Sequence, residues 1–233
     1  MRALALLTAL ALWPGLALAG AWPRAPGEVY LSTGQEFGEE GWTALYAEVG
    51  GPRRLTFGLD VGGHVAAGLN AYRQGLAASE DVDGRAFVFL RVPIAPAALT
   101  ARYPNWVAAA ELGVGADVED EGGLKARPRA RLGLSVGRGL STRLGDGWIN
   151  LDLRVEPGGA ATRYGLGAVA GLRPRERLTV EMGVFAEAEG DRASVTFAPT
   201  VQYSVRRVGD VRLGVSVGLD GDARLRFGVA RTF

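Results

Sequence analysis

The most regular feature of the chain is an alternation of apolar and polar residues with a period of two, plainest near the C-terminus. Leu225, Phe227, Val229 and Phe233 fall on one face there, and Arg224, Arg226, Gly228, Ala230 and Thr232 on the other, as successive side chains of a β-strand must. The segment before it repeats the pattern, with Val211, Leu213, Val215, Val217 and Leu219 opposing Arg212, Gly214, Ser216, Gly218 and Asp220. Asp220-Gly221-Asp222 between them is a hairpin signal. Upstream, Ile149 to Val155, Tyr164 to Leu172, Leu178 to Val184 and Val195 to Val205 alternate likewise. Pro199 stands on the apolar face of the last of these, and proline suits an edge or a bulge better than a paired strand. Further segments near 128–138, 106–117, 85–94, 53–64, 42–50 and 28–35 bring the expectation to about twelve strands, an even number of the kind closed bacterial barrels use.

Alternation alone also fits a soluble sheet with one buried side. The polar face decides for a barrel. It is built from Gly, Ala, Ser and Thr interrupted by charges, and lysine occurs only at Lys125, whereas the outer face of a soluble sheet would carry more Lys and Glu. The 35 glycines suit a tightly curved sheet. The fold expected is therefore all-β: a closed antiparallel transmembrane β-barrel over 28–233, with a periplasmic lead at 20–27. With both termini on one side, the turns at the opposite end are acidic: Glu36 through Glu40, Glu80-Asp81-Val82-Asp83, Glu119-Asp120-Glu121, Glu187 through Asp191 and Asp220 through Asp222. Those on the terminal side are basic: Arg53-Arg54, Arg102, Arg143, Arg173 through Arg177 and Arg206-Arg207. Trp106, Tyr203 and Phe233 fall near one set of strand ends, Trp42 and Tyr164 near the other, as interfacial girdles do.

The first residues change the picture from a sheet to an exported one. Met1-Arg2, an apolar stretch with Trp13-Pro14-Gly15, and Ala17-Leu18-Ala19 read as a cleaved signal peptide over 1–19. The apolar run is shorter than the ~20 residues of a spanning helix. That site, the Gly20-Ala21-Trp22-Pro23 start and the Leu225-x-Phe227-x-Val229-x-Arg231-x-Phe233 ending resemble small, uncharacterised proteobacterial outer-membrane β-barrels, as do Leu45 to Glu48 and Leu55 to Asp60. The resemblance implies the outer membrane of a Gram-negative bacterium, surrounding lipid and lipopolysaccharide, and a last strand (Leu225, Phe227, Val229, Phe233) read by the barrel-assembly machinery. Arg231 departs from it, standing where an aromatic or aliphatic residue is usual; a long side chain there can snorkel to the interface.

Charge and chemistry exclude more than they select. With 26 basic and 25 acidic residues, no global field attracts nucleic acid. The lack of cysteine removes thiolate chemistry and disulfides. One histidine with scattered carboxylates lacks metal-ligand spacing, and Gly-rich runs such as Gly165-Leu166-Gly167 lie on strands with no following helix, so no metal, no phosphate site and no cofactor are expected. Glu119-Asp120-Glu121 could meet divalent cations at the surface, although a solvated acidic loop is the plainer expectation. His64 continues the face of Thr56, Gly58, Asp60 and Gly62, and serves there as a lumen residue or, in the alternative, as the base of a lipid-directed hydrolase. The inward face gathers Glu48, Asp60, Arg91, Glu111, Asp117, Arg129, Arg131, Asp152, Arg154, Glu181, Arg212, Arg224 and Arg226. Arginines concentrate on strands six to eight and the final two, with carboxylates mostly earlier, which predicts a transverse field across a narrow, passive pore. A closed, salt-bridged structural barrel is the other outcome of the same residues, and a soluble periplasmic β-protein a more distant one. A monomer is expected, since a closed barrel needs no partner for its backbone.

Overall fold

The computed structural model describes residues 20–38, 41–64, 83–94, 102–120 and 124–233. The expected signal peptide at 1–19 lies outside them, as do the acidic residues at 39–40, 80–81 and 121. Twelve strands follow one another: β1 (Val29–Phe37), β2 (Thr43–Gly50), β3 (Thr56–Gly63), β4 (Asp83–Pro93), β5 (Trp106–Asp120), β6 (Leu124–Thr142), β7 (Gly145–Glu156), β8 (Arg163–Arg175), β9 (Leu178–Glu189), β10 (Arg192–Val205), β11 (Gly209–Gly218) and β12 (Ala223–Thr232). Each pairs antiparallel with its sequence neighbours, and β12 returns to β1 to close the barrel. The seam runs from Tyr30 opposite Thr232 to Phe37 opposite Leu225. Phe233 extends it: its N–H donates to the Val29 carbonyl at 2.8 Å and its carbonyl accepts from the Val29 N–H at 3.2 Å. No sheet edge is left open, which is what a bilayer demands of strands.

The strands lie close to the expected segments, with one large extension. β5 reaches Asp120 and β6 spans 19 residues, paired from Trp106 opposite Arg138 to Asp120 opposite Leu124. A tilted strand crosses a bilayer in roughly 9–11 residues, so this hairpin projects beyond it. Pro199 corrects the expectation of an edge or bulge. It pairs with Met182 on β9, and the register toward β11 is the same before it (Phe197 opposite Val217) and after it (Thr200 opposite Gly214). The ladder to β11 is interrupted only at Ala198 and Pro199. A closed sheet holds the strand from both sides, so one missing donor does not shift it.

The two faces are chemically separate. Outside stand Leu31, Leu45, Phe57, Val88, Leu112, Val114, Leu134, Leu151, Leu166, Met182, Val201 and Leu213, with exposures such as 56% for Leu112 and 63% for Val114. A continuous apolar belt of this extent is a lipid-facing surface. Trp106, Tyr164, Tyr203 and Phe233 are exposed near strand ends. Trp42 is not part of that girdle: it turns inward over Gly62, edge-on to His64 at 5.1 Å and under the Arg85 guanidinium. Its number has the parity of the inward residues of β2, and Gly62 leaves a flat floor for the indole. Arg231, alone among the charged residues in its outward position on β12, folds back over the Phe233 ring at 4.7 Å.

Several inward aromatic rings lie flat on the backbone of a glycine. A Cβ on Gly58 would stand 2.0 Å from Phe89, one on Gly171 2.1 Å from Trp148, and one on Gly115 2.7 Å from Phe87. In these three cases ring and glycine are directly opposed across adjacent strands. The missing side chain lets the ring approach the sheet and cover backbone that a narrow lumen would otherwise leave bare.

Candidate functional site: the barrel lumen

Inward charges meet across the barrel rather than only along its wall. Glu48 on β2 is fully buried and lies between two guanidiniums: Arg24 from the N-terminal lead, 2.5 Å away, and Arg91 on β4. Arg91 also reaches Glu111 on β5 at 2.8 Å, and Tyr46 joins the pair, donating its hydroxyl to Glu48 at 2.6 Å. Arg131 on β6 stacks on the Phe87 ring at 3.9 Å and bonds Asp60 on β3 at 2.9 Å and Glu156 on β7 at 2.7 Å. Nearer the end opposite the termini, Arg129 pairs with Asp117 and Glu189, and Arg163 on β8 bonds Asp117, Glu156 and Glu189 at 3.2, 3.3 and 2.8 Å. Buried pairs of this kind add little net stability, but removing one partner strands a charge in a dry interior.

This arrangement corrects the expected transverse field. The arginines of β6 and β8 are bonded to the carboxylates of β3 and β5 that were to face them from across an open bore. Opposite charges interleave, and the field they make is local.

The other half of the lumen is open. A cavity of about 470 Å³ runs along β1, β2 and β7 to β12, with Arg212, Glu181, Arg226, Glu36 and Asp152 among its lining. A second, of about 280 Å³, shares Tyr30, Tyr46, Asp152, Phe185 and Arg212 with the first and reaches Asp60, Arg91, Glu111, Arg131 and Arg154. Here too the charges pair: Arg212 with Glu181 at 2.8 Å, Arg226 with Glu36 at 2.9 Å. Arg154 lies over Gly165. Arg224 bonds Asp222 at 2.7 Å, near the rim, and His64 follows the end of β3 at the same mouth. On β12, Leu225, Phe227 and Phe233 face outward and Val229 is half-buried.

The terminal mouth is crossed by the residues expected as a lead outside the barrel. The Ala21 N–H donates to the Asn150 side chain at 3.2 Å, and Trp22 lies over Gly137 of β6. Arg24 is buried against Glu48, stacks on Tyr30 at 4.4 Å, and its backbone N–H donates to the Thr56 hydroxyl at 3.0 Å. The segment thus runs from the β2–β3 side to the β6–β7 side of the lumen. No periodic signal marks Arg24 or Trp22 in the sequence. Glu156, Asn150 and Phe87 were within reach of one: each continues the inward parity of its strand.

Closed, antiparallel, apolar outside and ion-paired within, the molecule has the architecture of a porin-like transmembrane β-barrel. No family model matches the chain, and no curated protein matches it in sequence. Among solved structures it is similar to the KdgM porin in complex with disordered oligogalacturonate, with a TM-score of 0.63 and 11% identity over 88% of this chain and 99% of that one. It is also similar to the KdgM porin on its own, with a TM-score of 0.60 and 13% identity over the same shares. At these identities the likeness is one of fold.

Proposed function

We propose that the protein is a narrow passive channel of the Gram-negative outer membrane, working as a monomer, with an off-centre bore that admits small polar or zwitterionic solutes. The observation that carries this is the pair of adjoining cavities inside a closed barrel with an apolar exterior. The β3 to β6 side is filled by Arg131, Arg91 and the rings of Phe87 and Phe89; the β9 to β1 side is lined by half-buried, mutually paired charges. Alternating pairs suit solutes with both charges, or none, better than a polyanion such as the oligogalacturonate of the KdgM complex. Lipid and lipopolysaccharide surround such a barrel, and the β12 residues Leu225, Phe227, Val229 and Phe233 serve as its signal to the assembly machinery.

One observation favours a second reading, a closed structural barrel: residues 20–25 lie across the terminal mouth. Single-channel recording separates the two. Folded protein extracted from outer membranes and placed in a planar bilayer should give small, discrete conductance steps with weak ion selectivity. Silence from demonstrably folded barrel overturns the channel.

A further inference from the structure

Among the described residues, the carboxylates lining the two cavities each have a guanidinium partner, except one. Glu36 has Arg226, Glu181 has Arg212, Asp60 has Arg131 and Glu111 has Arg91. Asp152, which lines both cavities, is bonded only by neutral groups: the Ser135 hydroxyl at 2.5 Å and the Asn150 amide. Asp152 has no direct ion pair, only the more distant charges of Arg91 and Arg154, where its neighbours are each compensated at contact. The same Asn150 side chain is the one that Gly20 touches: a Cβ on Gly20 would stand 2.5 Å from its Nδ2 and 2.8 Å from its Oδ1. Gly20 and Asp152 line the same cavity. Gly20 is also the residue that the sequence places first after export.

We infer that Asp152 and Asn150 form the binding site for the chain's own mature N-terminus. A signal peptidase adds water across the Ala19–Gly20 amide, leaving a carboxylate on the departing Ala19 and an amine, protonated at neutral pH, on Gly20. That ammonium gives Asp152 the close cation that Arg91 and Arg154 do not supply at contact, reached directly or through the Asn150 amide, whose carbonyl oxygen accepts as its nitrogen donates to Asp152. Processing thereby strengthens the contact that fixes the free end of this segment, the strap, while Arg24 on Glu48 fixes its root. The Ala21 N–H already holds the tip of this segment on Asn150 at 3.2 Å; cleavage adds a charge to that contact. The inference rests on cleavage after Ala19, not on conduction.

The test uses the folded protein purified from outer membranes. N-terminal sequencing and intact mass should begin at Gly20. Amine-selective acylation at neutral pH is then read by mass spectrometry at the N-terminal peptide, with the single lysine, exposed Lys125, as internal reference. A neighbouring carboxylate favours the charged, unreactive form of an amine, so the Gly20 amine should label slowly, and about tenfold faster in Asp152→Asn. Asp152→Glu should keep it slow, which burial of the terminus alone would not distinguish from the amide. A mature chain starting elsewhere overturns the inference, as does equal labelling in wild type and Asp152→Asn. Should that variant not fold, Asp152→Ser gives the same comparison. None of these readouts needs an open pore, so a silent bilayer recording leaves the inference standing.

Discussion

Replacing Gly58 with alanine tests whether ring-on-glycine contacts hold the filled half of the lumen. The new Cβ would stand 2.0 to 2.5 Å from three atoms of the Phe89 ring, where ordinary contact begins at 3.4 Å. Phe89 must therefore lift by well over an ångström. It is not free to do so: it is 5% exposed, stacked with Tyr46 at 5.8 Å between ring centres, and covered by Arg91 at 5.2 Å. Overpacking of this kind costs about 1–3 kcal/mol. Gly58 has no positive φ, so alanine suits its backbone, and without the ring the substitution should stabilise by about 0.4–1 kcal/mol through the unfolded chain. Gly58→Ala should thus destabilise wild type yet stabilise the Phe89→Ala variant, a coupling of about 2 kcal/mol in a double-mutant cycle. Urea titration of the barrel refolded into lipid vesicles, followed by the heat-dependent gel shift of the folded form, measures all four species. An equal cost of Gly58→Ala with and without the ring refutes the steric argument.

Other perturbations follow from the same geometry. Arg131→Met strands Asp60 beside a side chain that was 2% exposed and leaves Glu156 to Arg163 alone, and the urea midpoint should fall by the equivalent of about 3–5 kcal/mol; adding Asp60→Asn should recover part of it. Arg24→Ala removes the strap's hold on Glu48 and should raise single-channel conductance, and an unchanged value would show that the strap does not set the bore. Arg226→Glu places a second carboxylate beside Glu36 on the open cavity, shifting the reversal potential in a salt gradient toward cation preference. Deleting Phe233 removes two seam hydrogen bonds to Val29 and should lower the yield of assembled barrel in the outer membrane.

The barrel was legible because its two faces have a period of two that no helix shares, and because closure obliges every strand to keep it. Strand count, order and seam follow from that regularity and from the charge difference between the two sets of turns. The interior was legible only residue by residue. Parity gives the direction of Arg131 but not its partners, since Asp60 and Glu156 lie on β3 and β7 and meet it only when the sheet closes. The expected field failed for this reason: charges far apart in sequence were assigned to opposite walls, and the barrel is narrow enough for them to touch. Arg24 and Trp22 lie in a segment without periodicity, so nothing local says that they enter the lumen.

The distribution of glycine and arginine explains why the bore is eccentric. Phe87 and Phe89 alternate inward on β4, each seated on a glycine of a neighbouring strand, and each carries a guanidinium on its outer side, Arg131 and Arg91 respectively. Ring and cation together reach far into the lumen from one wall, and the carboxylates that neutralise them come from β2, β3, β5 and β7, so the fill is anchored on several strands at once. On β10 and β11 the inward residues near mid-strand are small or singly charged: Ala198, Thr200, Arg212 and Gly214. Nothing there can reach the opposite side, and space remains. A barrel of uniform wall thus acquires a filled half, stabilised by mutual compensation, and an open half along β1, β2 and β7 to β12. Widening the bore by shortening side chains on the filled half would strand charge, and moving the strap would take Arg24 from the buried Glu48 and leave that carboxylate to Arg91 alone. The strap is therefore part of the same ion-paired fill, held by Glu48 and Thr56 at its root and by Asn150 at its tip.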